Sequence, residues 1–206
     1  MSFTAYIKKQ IDRSDMFGDY ARDFKYILDN LPLYPEHRGT DEITSDTLLG
    51  HYLFLPYNVR QREHTQAELC GLWKEWLQYK HIGFRFSSPK KGYVYFLKLE
   101  NENGIFKVGR TQKDPEKRAW DVARQERAKV VVHDWLLIDH YDIIEKELHL
   151  AFKKNQLMRE WFRVDVNQID EAILAYSLTD SECVIRVRKE EDDEDLEFDS
   201  EEMSFS

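Results

Sequence analysis

Between Gly92 and Phe162 the spacing of hydrophobic residues changes from strand-like to helical and back. GYVYFLKL and IFKVGRT are two runs rich in aromatic and β-branched residues, and the Asn103-Gly104 pair between them favours a tight turn, so a hairpin is predicted. Tyr93, Tyr95, Leu97 and Leu99 alternate with Val94 and Phe96, which implies a sheet covered on both sides. In QKDPEKRAWDVARQERA, Asp114 can cap the open amides and Pro115 suits the first helical position, so a helix begins there with Arg118 in its first turn. KVVVHDWLLI reads as another strand. DIIEKELHLAFKK carries Ile144, Leu148, Ala151 and Phe152 at helical spacing, with Glu145 and His149 stacked at the edge of that stripe and Glu147 expected to face water. Asn167 can cap a further helix, NQIDEAILAYSL, and CVIRVR reads as a short last strand.

The first third of the chain has no strand pattern. Phe3, Tyr6, Ile7 and Ile11, then Met16, Phe17, Tyr20, Ala21, Phe24 and Ile27, recur at helical spacing, with a bend expected at Gly18. A loop is expected over Pro32–Arg38. SDTLLGHYLF, capped by Ser45, and TQAELCGLWKEWLQY, with Thr65 and Glu68 in capping-box spacing, predict two further helices. The expected fold is therefore α+β, a small antiparallel sheet flanked by helices and preceded by an all-α N-terminal domain. Its boundaries fall at 1–85 for the helical part, 90–180 for the sheet part and 189–206 for a disordered acidic tail, with Phe84 to Pro89 carrying the chain across. The helical part is expected either to position a partner or substrate, or simply to pack against the second domain.

Composition modifies this picture in two places. The net charge of −9 argues against a nucleic-acid partner until its distribution is considered, because residues 190–206 hold 10 of the 39 acidic residues and no basic one. Without them 30 basic residues face 29 acidic ones, so the body can carry a local basic face. The tail's charge density implies disorder, with Phe198 and Phe205 as handles for a protein partner, or a role in restraining nucleic-acid binding. Cys70 and Cys183 show no zinc spacing, and no run of about 18 apolar residues occurs. A soluble, cytoplasmic protein with no membrane partner is expected.

Tyr93-Val94-Tyr95, Lys107-Val108-Gly109, Arg118, Glu145 and Arg159-Glu160-Trp161-Phe162 occur in that order over about a third of the chain. In this order they resemble the motifs of the GIY-YIG nuclease superfamily, in the branch common in phages and large DNA viruses. Two residues depart from the pattern: Tyr93 stands where the family name has glycine, and Lys107 where it has the second tyrosine. Lysine there is similar to a variant of this branch and implies a changed site. Over Asp15–Asp23 the chain is also similar to a helical SAM-like module of the YozE type.

The resemblance implies a metal-dependent endonuclease that hydrolyses DNA, with magnesium or manganese as cofactor and Glu145 as its ligand. Tyr95 would then orient or deprotonate the attacking water. Lys107 would hold the phosphate, or act as a base if burial and nearby cations lowered its pKa. Arg118 offers a permanently charged, bidentate donor near a helix N-terminus, which suits a phosphoryl oxygen. His149 can contact phosphate, move a proton or support the metal, or else be a satisfied interfacial histidine. Tyr93, Lys91, Arg110, Arg124 and Arg127 are candidate substrate contacts, with Trp120 beside them, and Glu160 would orient Arg159 or the site. The E-x-x-x-H spacing of Glu145 and His149 lacks the paired histidines of a zinc protease, and the single Gly109 is no nucleotide loop. His133 and His140 have no partner that the sequence suggests. The competing reading is a catalytically inactive nucleic-acid- or protein-binding module, such as a phage regulator, on the same fold.

Overall fold

A computed structural model describes residues 1–30, 46–55, 62–80 and 90–186. The expected loop over Pro32–Arg38, the Ser45 cap, the crossing at 84–89 and the acidic tail lie outside them.

Four helices form the N-terminal part: α1 (Phe3–Lys8), α2 (Met16–Asp29), α3 (Leu48–Phe54) and α4 (Glu63–Lys80). Ser2 and Asp15 cap the first two by accepting from the Ala5 and Gly18 amides. Three local expectations are corrected. Gly18 lies in the first turn of α2, where a Cβ would strike the Arg13 carbonyl, and the chain bends before it, between Lys9 and Asp15. The cap of α3 is Thr47, whose hydroxyl accepts from the Gly50 amide at 3.0 Å. Helix α4 starts at Glu63, which leaves Thr65 buried inside it rather than capping it.

The remainder is a sheet with helices on both faces: β1 (Gly92–Leu99), β2 (Ile105–Thr111), α5 (Pro115–Glu126), β3 (Val130–Ile138), α6 (Tyr141–Ala151), β4 (Gln156–Met158), β5 (Trp161–Arg163), α7 (Val166–Ser177) and β6 (Val184–Ile185). The strand order is β4-β5-β2-β1-β3-β6, and every described pairing is antiparallel. The α+β expectation holds. Gly104 takes a φ of 73° in the hairpin turn, a region glycine enters without a Cβ penalty. Asp114 caps α5 by accepting from the Glu116 amide at 2.8 Å, and Pro115 opens the helix as expected. The cap of α7 is Asp165 rather than Asn167, and Gln168 completes a capping box with it.

The strand alternation divides the core into two layers. Tyr95, Leu97, Ile105, Val130, Val132 and Trp161 pack with Ala119 and Val122 of α5. Val94, Phe96, Val108, Leu136 and Phe162 form the other face, in one continuous apolar cluster that runs through α6 and α7 into Phe3, Phe24 and Trp73 of the N-terminal helices. A bulge in β3 opposite Phe96 and Leu97 lets Val132 face α5 while Leu136 joins the apolar cluster on the opposite face, although both positions share the same parity. Among the described residues no helix is long and apolar enough to cross a membrane.

Candidate functional site

Tyr95 sits at the middle of β1, directly across from Gly109 on β2. That pairing explains the glycine: a Cβ on Gly109 would lie 2.4 Å from the Tyr95 hydroxyl, so only glycine leaves the ring its place. The close approach is made by a protein side chain and not by substrate. The Arg118 Nε, from the first turn of α5, donates to the Tyr95 hydroxyl oxygen at 3.3 Å. Burial pushes the Tyr95 pKa upward, more than the Arg118 contact lowers it, so the phenol keeps its proton.

Lys107 lies two residues before Gly109 on the same strand face, and it is buried rather than an exposed strand lysine. The pairing of β2 with β5 brings Glu160 beside it, and its ammonium meets that carboxylate at 2.8 Å, with the Trp161 ring centroid 5.6 Å away. Glu160 therefore orients Lys107 rather than Arg159. The charged neighbour of Lys107 is thus an anion.

On α6, Glu145 is buried, and its carboxylate lies 3.3 Å from the Arg110 Nε. Arg110 also reaches Asp142 at 3.9 Å and faces the Tyr141 ring at 5.8 Å. Burial raises the Glu145 pKa first, Glu160 adds to the rise, and His149 and Arg110 oppose it. The carboxylate is thus short of positive charge, as the ligand of a hard cation would be. Among the described residues no group of three or more His, Cys, Asp or Glu could hold a metal by itself. A single carboxylate fits magnesium nonetheless, because that ion keeps several waters and takes further oxygens from a substrate phosphate. His149 donates through Nε2 to the Val108 carbonyl at 2.9 Å and packs against the Phe162 ring, which matches the satisfied interfacial histidine.

Tyr95, Lys107, Gly109, Arg110, Arg118, Glu145, His149 and Glu160 thus gather around the Tyr95–Gly109 pairing of β1 and β2, drawn from both helical layers and from the turn before β5. The remaining candidates make their described side-chain contacts outside this group. Tyr93 packs edge-on against Trp135, with centroids 5.2 Å apart. The Lys91 ammonium is held by the Glu182 carbonyl and carboxylate at 3.1 and 3.5 Å. Arg124 covers the Trp120 ring on the outer side of α5, and Arg127 ends that helix in a left-handed conformation. His133 lies 3.7 Å from Asp170, and His140 precedes α6 at a φ of 58°.

The expectation that Glu147 faces water is overturned. Its carboxylate is buried and accepts from the Trp73 indole N–H at 3.1 Å, the Tyr176 hydroxyl at 2.9 Å and the Leu48 amide at 3.3 Å. The signal was present, since Glu147 stands three residues after Ile144 and four before Ala151, within the apolar stripe itself. Its charge masked its position.

No curated protein and no solved structure matches the chain. Residues 92–177, from the start of β1 to the end of α7, match the model of the T5orf172 domain, and over this span the chain is similar to that nuclease-related family.

Proposed function

We propose that the protein is an endonuclease that hydrolyses DNA phosphodiester bonds at the Tyr95–Glu145 site, by GIY-YIG-type chemistry that requires magnesium or manganese. The observation that carries this reading is the Tyr95 hydroxyl held by Arg118 near a carboxylate, Glu145, that lacks full charge compensation. Because the Arg118 Nε occupies a lone pair of the Tyr95 oxygen, the phenolic proton is free to point at a water or phosphoryl oxygen. With the phenol's pKa raised, Tyr95 orients the attacking water rather than deprotonating it. The other guanidinium nitrogens of Arg118 meet the negative charge that develops on the phosphoryl oxygens. Lys107, fixed by Glu160, adds a second cation on the strand face that carries Tyr95. Glu145 would hold the divalent ion, which when bound supplies positive charge at the phosphoryl and leaving oxygens.

One observation favours the inactive binding module: Lys107 and Glu145 are each already paired, with Glu160 and Arg110. Supercoiled plasmid incubated with the full chain, magnesium or manganese, and parallel EDTA controls separates the two readings. Metal-dependent nicking by the wild type, lost in Glu145→Gln and Arg118→Ala with the fold intact, is the expected result. No nicking by the wild type, with DNA binding unaffected by either substitution, leaves the binding module.

A further inference from the structure

Helix α5 turns Ala119 and Val122 inward and places Trp120 on its outer side, where the indole is 64% exposed, the most exposed tryptophan among the described residues. Burying such a ring would be favourable, so an isolated exposed one is a feature to explain. Its helical neighbours at i−3 and i+4 are Lys117 and Arg124, and Arg127 closes the same helix in a left-handed conformation. The Arg124 guanidinium lies 5.0 Å from the ring centroid and covers one face. Lys117 and Arg127 make no ion pair among the described residues. Glu116, the i−4 neighbour, is neutralised by Arg186 at 3.0 Å. Asp121 and Glu126 lie about 100° or more around the helix from Trp120. The row is therefore an aromatic platform with one face backed by a cation, flanked by uncompensated positive charge.

We infer that the outer side of α5 binds a nucleic-acid strand with an unpaired base stacked on Trp120 and its phosphates met by Lys117, Arg124 and Arg127. The inference rests on the nuclease reading and extends it by naming a strand with unpaired bases as the ligand. A base inside a duplex has both faces covered by its neighbours and offers none to a ring on a convex helix surface, whereas an unpaired base offers one. An apolar protein partner would want apolar neighbours around the tryptophan, and here two of them, Lys117 and Arg124, are cations.

The test is a fluorescence-anisotropy titration of the full chain in EDTA with a labelled single strand of about 12 nucleotides and with the matching duplex. Trp120→Ala is expected to weaken single-strand binding about tenfold. Trp120→Tyr should retain most of the affinity, and duplex binding should change by less than about twofold because its phosphate contacts remain. Circular dichroism of both variants verifies the fold, which an exposed side chain does not control. If Trp120→Ala weakens neither ligand, or both equally, the stacking site is refuted, while plasmid nicking decides the nuclease reading separately. If the wild type binds neither oligonucleotide, the stacking site is refuted and plasmid nicking alone decides the nuclease reading. If a labelled peptide of residues 190–206 binds the wild type and not Trp120→Ala, and no oligonucleotide does, the face belongs to the chain's own acidic tail and the inference is overturned.

Discussion

Helix α6 carries two buried glutamates two residues apart, and their surroundings differ in kind. Glu147 accepts from three donors contributed by three elements, α3, α4 and α7. Glu145 has one guanidinium at 3.3 Å and a second carboxylate, Glu160, near enough to oppose its ionisation. A buried anion with matched donors is a structural fixture, because removing it strands its donors as well. A buried anion left short of compensation costs stability unless a ligand supplies the missing charge. The contrast marks Glu147 as a fixture of the fold, and on the proposed function it leaves Glu145 as the carboxylate available to a ligand.

The largest effect expected from breaking this contrast is at Glu147. Glu147→Ala leaves the Trp73 and Tyr176 donors unsatisfied and should cost about 3 kcal/mol or more, read as a lower urea midpoint. Glu147→Gln keeps one acceptor oxygen and should lose less. An unchanged midpoint in the alanine variant would show that the three contacts add nothing.

Arg118→Ala comes next. It should slow nicking by a factor corresponding to about 2.7–4 kcal/mol in the barrier and leave the urea midpoint nearly unchanged. Should folding suffer as much as cutting, the division of labour between the two regions fails.

Gly109→Ala tests the close approach itself. The added Cβ must displace the Tyr95 hydroxyl, costing about 1–3 kcal/mol of stability and most of the activity. Normal nicking by this variant would mean that the Tyr95 position is not critical.

The smallest effect concerns pH. Because folding raises the Glu145 pKa above its ordinary value of 4.5, the folded state is favoured relative to the unfolded one below that value, and the advantage is lost as pH rises through the raised pKa. Glu145→Gln removes this loss. The variant's stability relative to wild type should therefore grow from pH 4 towards neutrality in parallel urea titrations. Added magnesium should narrow the gap by binding only the wild type. A gap independent of pH would place the carboxylate in a compensated environment.

Local rules made part of this legible in advance. The Asn103-Gly104 turn, the Asp114-Pro115 helix start and the two-sided β1 strand follow from turn chemistry, capping and alternation over a few residues. The missed helix caps at Thr47 and Asp165 have equally local causes: several polar residues compete at each helix start, and only backbone geometry selects among them. The Lys107–Glu160 pair depends on the pairing of β2 with β5, and the Gly109–Tyr95 approach on a side chain 14 positions earlier. Such pairings are long-range and leave no periodic trace. Glu147 is a different failure, since its position within the stripe was visible and its partners were not.

The Glu147 node also has a consequence for how the chain is made. Its donors sit at residues 48, 73 and 176, on either side of the acceptor in sequence. During synthesis α3 and α4 leave the ribosome long before α6, and the Tyr176 hydroxyl follows only when β1 to β5 have already emerged. The apolar surfaces of the early helices must therefore wait for a late partner, and such a wait favours slow closure and exposure to aggregation. A chain stalled before α7 would hold a formed hairpin and an unclosed core.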